Sequence, residues 1–191
     1  MIDWDRIVEE DGPAVWRICW RLLCNRADAE EAFQEAFIAA VELSRRETLA
    51  TPRAILQHLA TARSIDKLRS RQRRRKRHEP VDHERLNEEA SADVTPPQNA
   101  EAGELSDALL KALATLPGKQ AECFTLHAIE GWAYQEIADR LGLSIDHVGV
   151  LIHRARGKLK KSLAHYGHDG HNSAVEPPAA GATSGSSPSG K

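Results

Sequence analysis

The side chains in this sequence whose types and spacing suit chemistry are cations rather than nucleophiles. Nine of the fifteen residues from Arg63 to Arg77 are Lys or Arg, among them Arg63, Lys67, Arg69, Arg71, Arg73, Arg74 and Arg75. Such a block cannot be buried, and phosphate is its natural counter-charge. A helix dipole accounts for one or two cations at a C-terminus, not for a run of this density. A second set follows Ser144. Asp146, His147, Val150, His153, Arg154 and Lys161 recur on one side of a helix, with Arg156 and Lys158 toward its flanks. Arginine and lysine there suit phosphates, while Asp146 can accept from a cytosine amino group and neutral histidines can read base edges.

The elements that must carry the second set are two helices with a tight turn. Tyr134, Ile137, Ala138 and Leu141 form one short apolar stripe. Gly142 supplies the stop, and Ser144 is the natural N-cap of the helix that follows. In that helix Ile145, Val148, Ile152, Ala155, Leu159 and Leu163 share the inward face. A short helix, a glycine turn and a helix with cationic outer positions is the helix-turn-helix plan, whose second helix enters the major groove. The same pattern also fits an ordinary helical hairpin inside a bundle.

From the start of the chain, Asp11-Gly12-Pro13 reads as a helix start, with Val15, Ile18, Cys19, Leu22 and Leu23 as its apolar stripe. Trp16 and Trp20, one turn apart, suit packing. Asp28 is the expected N-cap of the next helix, with Glu31 completing a capping box. Phe33 and Phe37 join its apolar stripe, and Glu30, Glu31, Gln34 and Glu35 form an acidic opposite face. Pro52 can start the helix that ends in the basic block. Residues 78–104 are acidic and contain Pro80, Pro96 and Pro97, which reads as a flexible linker. Leu105, Leu109, Ala112, Leu113 and Leu116 begin a second helical unit. Residues 167–191 are rich in Gly, Ser, Pro and Ala, a low-complexity tail expected to be dispensable for folding. The organisation is therefore all-α, two small helical domains (1–77 and 105–166) joined by a flexible acidic linker (78–104) and followed by a tail (167–191).

The net charge of −2 at pH 7 hides this segregation of basic and acidic stretches. Cys19, Cys24 and Cys123 lack the paired spacing of a zinc site or a disulfide framework and read as reduced, mostly buried thiols of a cytoplasmic protein. His165, His168 and His171 have no scaffold to make a metal site. No leader, membrane span, phosphate-cradling loop or nucleophile motif is visible, so neither membrane insertion, nor a cofactor or metal, nor enzymatic activity is expected.

Taken jointly, these segments resemble the extracytoplasmic-function (ECF, group IV) sigma factors of bacterial RNA polymerase, of the sigma-70 family. DAEEAFQEAF (Asp28 to Phe37) is similar to the family segment that docks on the polymerase β′ coiled coil, which implies Asp28, Glu31, Gln34 and Glu35 as polymerase-binding residues. RAILQHLATARSIDKLRSRQRRR resembles the helix that reads and melts the minus-10 element, which implies a DNA role for Arg63, Lys67, Arg69, Arg71, Arg73, Arg74 and Arg75. LPGKQAECFTLHAIEGWAYQEIADRLGLSIDHVGVLIHRARGKL resembles the minus-35-binding region 4 and implies Ser144, Asp146, His147, Val150, His153, Arg154, Arg156 and Lys158 as contacts. Ile55 stands where the family usually has tryptophan, Ala62 stands near a usual asparagine, and Gly149-Val150-Leu151 replaces a frequent Lys-Ser-Arg run. The resemblance implies a sigma factor that brings core polymerase (β′ and β subunits) to promoter DNA and helps open it, with an anti-sigma factor as a further partner. The alternatives are a free-standing helix-turn-helix regulator, or an adaptor acting through protein contacts alone.

Overall fold

Asp3 starts the first helix, its carboxylate accepting the Arg6 N–H at 3.1 Å, and an Arg6–Glu10 pair one turn on reinforces it. In the computed structural model, which describes residues 2–49, 51–77 and 100–167, this helix α1 runs over Trp4–Leu23. It passes straight through Pro13, so Asp11-Gly12-Pro13 is not the helix start the sequence suggested. The Asp3 cap and a full turn of side-chain support upstream outweigh the missing Pro13 N–H. Cys24 closes α1 in the left-handed region (φ 47°) and is exposed, unlike buried Cys19 and Cys123. Burial pushes those two thiols up to about 11, which suits inert core residues.

Helix α2 covers Arg26–Ser44 and is capped by Asn25, not Asp28: the Asn25 side chain accepts the Asp28 N–H at 3.0 Å. Its fully buried stripe is Ala29, Ala32, Ala36 and Ala40, small residues that allow close approach by neighbours. Phe33 and Phe37 are only half-buried and pack beside each other at 4.8 Å, with Trp16 edge-on to Phe33. Helix α3, Pro52–Lys76, then crosses α1 and α2. Ile55 is buried in this core, so the position of the family tryptophan is a packing position here.

Among the described residues the second unit begins with α4, Ala100–Thr115, which takes in 100–104 from the stretch read as linker. Helices α5 (Gly118–Ala128), α6 (Tyr134–Leu141) and α7 (Ile145–Ser162) follow, then a 3-10 turn at Ala164–Gly167. Residues 78–99 of the linker and 168–191 of the tail, with His168 and His171, lie outside the described residues.

The two helical units meet. Helix α3 packs on α4 and α5 as well as on α1 and α2. One apolar core runs from Val15, Ile18, Leu22, Leu56 and Ile65 across to Leu113, Leu116, Ala121 and Leu159. A second, smaller core of Leu126, Trp132, Ile137, Val148 and Ile152 sits within the helix-turn-helix, with Ala54 of α3 against it. At the seam Arg21 pairs with Glu130 at 3.3 Å, and His58 faces Glu122 at 3.8 Å. The Arg69 guanidinium lies over Gly118, 3.1 Å from where a Cβ would stand.

Candidate nucleic-acid interface

Apart from Arg53, which faces Asp11 at 3.7 Å, and Arg69 at Gly118, the cations of α3 and its cap divide into two groups by what faces them. Arg63, Lys67 and Arg71 recur every four residues and face α2, where Asp28, Glu31 and Glu35 point back. Lys67 Nζ sits 2.7 Å from Glu31 and 3.5 Å from Glu35, Arg63 Nε is 3.9 Å from Glu35, and Arg71 Nε is 2.7 Å from Asp28. Arg71 also donates to the Leu23 carbonyl at 2.9 Å, holding the C-terminus of α1. The result is an antiparallel ladder of charge along the α2–α3 contact. Its hydrogen bond from Lys67, with the added attraction of the same ammonium, holds the Glu31 carboxyl below the usual carboxylate range.

Beyond the ladder, Arg73, Arg74, Arg75, Lys76 and Arg77 are all exposed on the last turns of α3. None of the five is in an ion pair among the described residues, though the Arg74 charge is felt at Glu31. The structure thus brings the residues expected to bind polymerase (Asp28, Glu31, Glu35) onto three of those expected to bind DNA. Gln34 stands apart from that ladder. It lines an open apolar groove of about 540 Å³ with Trp4, Val8, Phe33, Phe37, Ile38 and Val41. Val8 and Ile38 are exposed there, and the sequence reading placed neither in a site. The available signal was the Trp4–Val8 spacing, one helical turn, ahead of where α1 was thought to begin.

The helix-turn-helix is built by its caps. The Glu136 carboxylate accepts the Ala133 N–H at 2.7 Å to start α6, and Gly142 (φ 64°) ends it. Ser144 then accepts the His147 N–H at 3.2 Å to start α7, as its sequence position implied. Tyr134 packs edge-on to His127 at 4.8 Å, and His127 Nδ1 lies 2.9 Å from the Trp132 carbonyl oxygen. These contacts fix the turn before α6.

On α7 the buried face is Val148, Leu151, Ile152, Ala155 and Leu159. Asp146, His147, Val150, His153, Arg154, Arg156 and Lys158 are all exposed, and so is Ser144. Two expectations need correction. Ile145 was assigned to the inward face but is 45% exposed, because it opens the first turn beyond its partners' reach. Leu151, counted with Gly149 and Val150 as a replaced family position, is in the core and could not have carried a DNA-facing cation. No α7 cation is in an ion pair among the described residues, so Arg154, Arg156 and Lys158 stand free. Among the described residues no helix is long and apolar enough to cross a membrane, and no group of His, Cys, Asp and Glu is placed to hold a metal ion.

Comparison with known proteins agrees with this layout. The family described as Sigma-70 region 2 matches residues 7–74, and Sigma-70, region 4 matches 106–159. The ECF RNA polymerase sigma factor SigE of Mycolicibacterium smegmatis is 32% identical over 174 residues, 91% of this chain and 66% of that protein. The chain therefore spans just under two-thirds of that relative. The ECF RNA polymerase sigma factor SigW of Bacillus subtilis is 29% identical over 158 residues, 78% of this chain and 82% of that one. Among solved structures, the sigma factor RpoE in complex with the anti-sigma factor NepR, from Bartonella quintana, shares the fold. Its TM-score is 0.53 at 23% identity, over 85% of this chain and 97% of that one. Region 2 in α1–α3 and region 4 in α4–α7, in that order along one chain, make this protein a member of the extracytoplasmic-function group of the sigma-70 family.

Proposed function

We propose that this chain brings core RNA polymerase to promoters through three surfaces. The exposed side of α2, with Asp28, Glu31, Gln34 and Glu35, docks on polymerase. The basic end of α3 holds the minus-10 DNA as it opens, and α7 contacts the minus-35 element. The observation that carries this reading is the five-residue cationic end of α3, exposed and without ion pairs among the described residues, on the same chain as a helix-turn-helix with free outward cations. A run of guanidinium groups tracks a phosphate backbone whatever the bases, as strand separation requires.

Asp28, Glu31 and Glu35 serve polymerase only if the α2–α3 ladder yields. Equally, Arg63, Lys67 and Arg71 reach phosphate only by leaving those carboxylates. Arg73, Arg74 and Arg75 need no such exchange, whereas Arg69 is half-buried over Gly118 of α5. A partner of the anti-sigma kind, as in the Bartonella complex, is a further expected partner. Run-off transcription with purified chain and core polymerase tests the function. Promoter-dependent transcripts are expected only when both are present. A chain that neither co-purifies with core nor supports transcripts would leave the free-standing regulator or the adaptor as the better reading.

A further inference from the structure

The outward face of α7 has an apolar centre. With Val148, Leu151, Ile152, Ala155 and Leu159 buried, the opposite direction, at about 100° per residue, passes between Asp146 and Val150. Asp146 lies one turn before the valine and Arg154 one turn after, with His147 and His153 on either side, all exposed. Val150 is itself 44% exposed. A valine in that position adds little to the free protein, since its helix propensity is below that of the lysine or arginine around it. Gly149 beside it removes one more side chain, and Lys158 and Lys161 extend the cationic surround.

An apolar centre among polar side chains, with cations further along the same helix, is complementary to the major groove, where phosphates border a floor of base edges. Thymine is the base that presents a methyl group on that floor. We infer that Val150 contacts a thymine methyl, so that the upstream element recognised by this chain contains a T·A pair at the point faced by the middle of the first two turns of α7. Asp146 sits about 6 Å away along the helix, and base pairs rise about 3.4 Å each, so its partner lies one or two steps from that thymine. A carboxylate selects a cytosine there through the exocyclic amino group. The inference rests on α7 binding the minus-35 DNA, and it adds which bases are read and by what.

The test uses the full chain assembled with core polymerase and a pool of duplexes randomised over the upstream element. Retained duplexes are sequenced, then resynthesised with deoxyuridine, which lacks the methyl, at each thymine in turn. The expected result is a fixed thymine whose replacement by deoxyuridine weakens binding about four-fold, the worth of one buried methyl group. In Val150→Ala the thymine and deoxyuridine duplexes should bind alike, with melting temperature unchanged because the position is exposed. A pool without a fixed thymine, or a deoxyuridine penalty that survives in Val150→Ala, would overturn the inference while leaving α7 a DNA-binding helix. Equal loss of thymine and deoxyuridine duplexes in Val150→Ala, together with loss of polymerase from the complex, would also overturn it and mark the valine as a protein contact. Failure of the parent reading looks different: the basic end of α3 would still retain duplexes with polymerase, but no base at any upstream position would be preferred.

Discussion

Helices α3 and α7 both carry dense positive charge, yet they hold it in opposite ways. On α3 the cations at 63, 67 and 71 already have partners on α2, and Lys67 is only 17% exposed. On α7 every cation projects to solvent, and its inward side is purely apolar. The amount of charge on a helix is thus a poor guide to how much of it is free to meet phosphate. In α3 the free part begins after Arg71. In α7 nothing is committed, but less is available near the first turns, where Asp146 opposes phosphate and the face is centred on a valine.

The sharpest way to break this contrast is to remove free charge from each helix in turn. Arg73, Arg74 and Arg75 together replaced by Ala should lower the salt slope of holoenzyme binding to a promoter duplex by about 2 to 3, at roughly 0.9 per phosphate contact. Arg154 and Arg156 replaced by Ala should lower it by less, about 1 to 2. A salt series on each mutant decides the matter. A larger loss from the α7 pair would make region 4 the main anchor.

A second experiment strips the acidic half of the ladder. Glu31→Gln with Glu35→Gln should cut co-purification with core polymerase several-fold while the melting temperature falls by a few degrees at most, since both carboxylates are substantially exposed and such pairs contribute only about 0–1 kcal/mol each. Neutralisation is a cleaner test than charge reversal, because a lysine at 31 or 35 would oppose Lys67 and Arg63 and loosen the fold. Undiminished core binding by the neutral variant would remove α2 from the docking surface.

Lys67→Ala sharpens the comparison further. A lysine spoken for by two carboxylates should change the salt slope by well under one unit. A full unit would mean that the ladder opens when DNA binds.

The smallest effects come from pH. Burial of Glu122 opposes its ionisation, but hydrogen bonds from His58 and Lys119 prevail and hold its pKa below the ordinary value. Its contribution is therefore complete at neutral pH and is lost as pH falls through the lowered folded value. Glu130 runs the other way: burial raises its pKa despite Arg21 and Arg17, so it costs stability once pH rises through that raised value. Melting curves at about pH 3 to 7 should show Glu122→Gln flattening the acid limb and lowering the neutral midpoint. Glu130→Gln should leave the neutral midpoint unchanged or slightly higher.

Much of this was legible in the chain because it is local. Ser144 and Gly142 bracket α7 and α6 as their types require, and every polar or basic α7 position expected outside is outside. Local signals also misled where two competed. Asp11-Gly12-Pro13 is a good helix start, but Asp3 was a better one, and Asn25 outcompeted Asp28 for the cap. In α2 the apolar stripe held both alanines and phenylalanines, and the alanines fill the tight space against its neighbours while Phe33 and Phe37 are only half-buried. The ladder was present as two matching spacings, 28/31/35 and 63/67/71, but nothing in either helix alone says that they face each other. The seam between the two units was invisible for the same reason, since its residues are far apart in the chain.

That seam has a consequence for reach. Positions minus-10 and minus-35 are about 25 base pairs apart, or roughly 85 Å of duplex at about 3.4 Å per pair. Helix α3, with 25 residues, is about 37 Å long, and α7, with 18, about 27 Å. Both are fastened to the same helix α5, so even laid end to end they fall short of the span. A chain folded in this way is a closed pair of callipers. To touch both marks on a promoter, α3 must come away from α4 and α5, uncovering Leu113, Leu116 and Ala121 and separating His58 from Glu122.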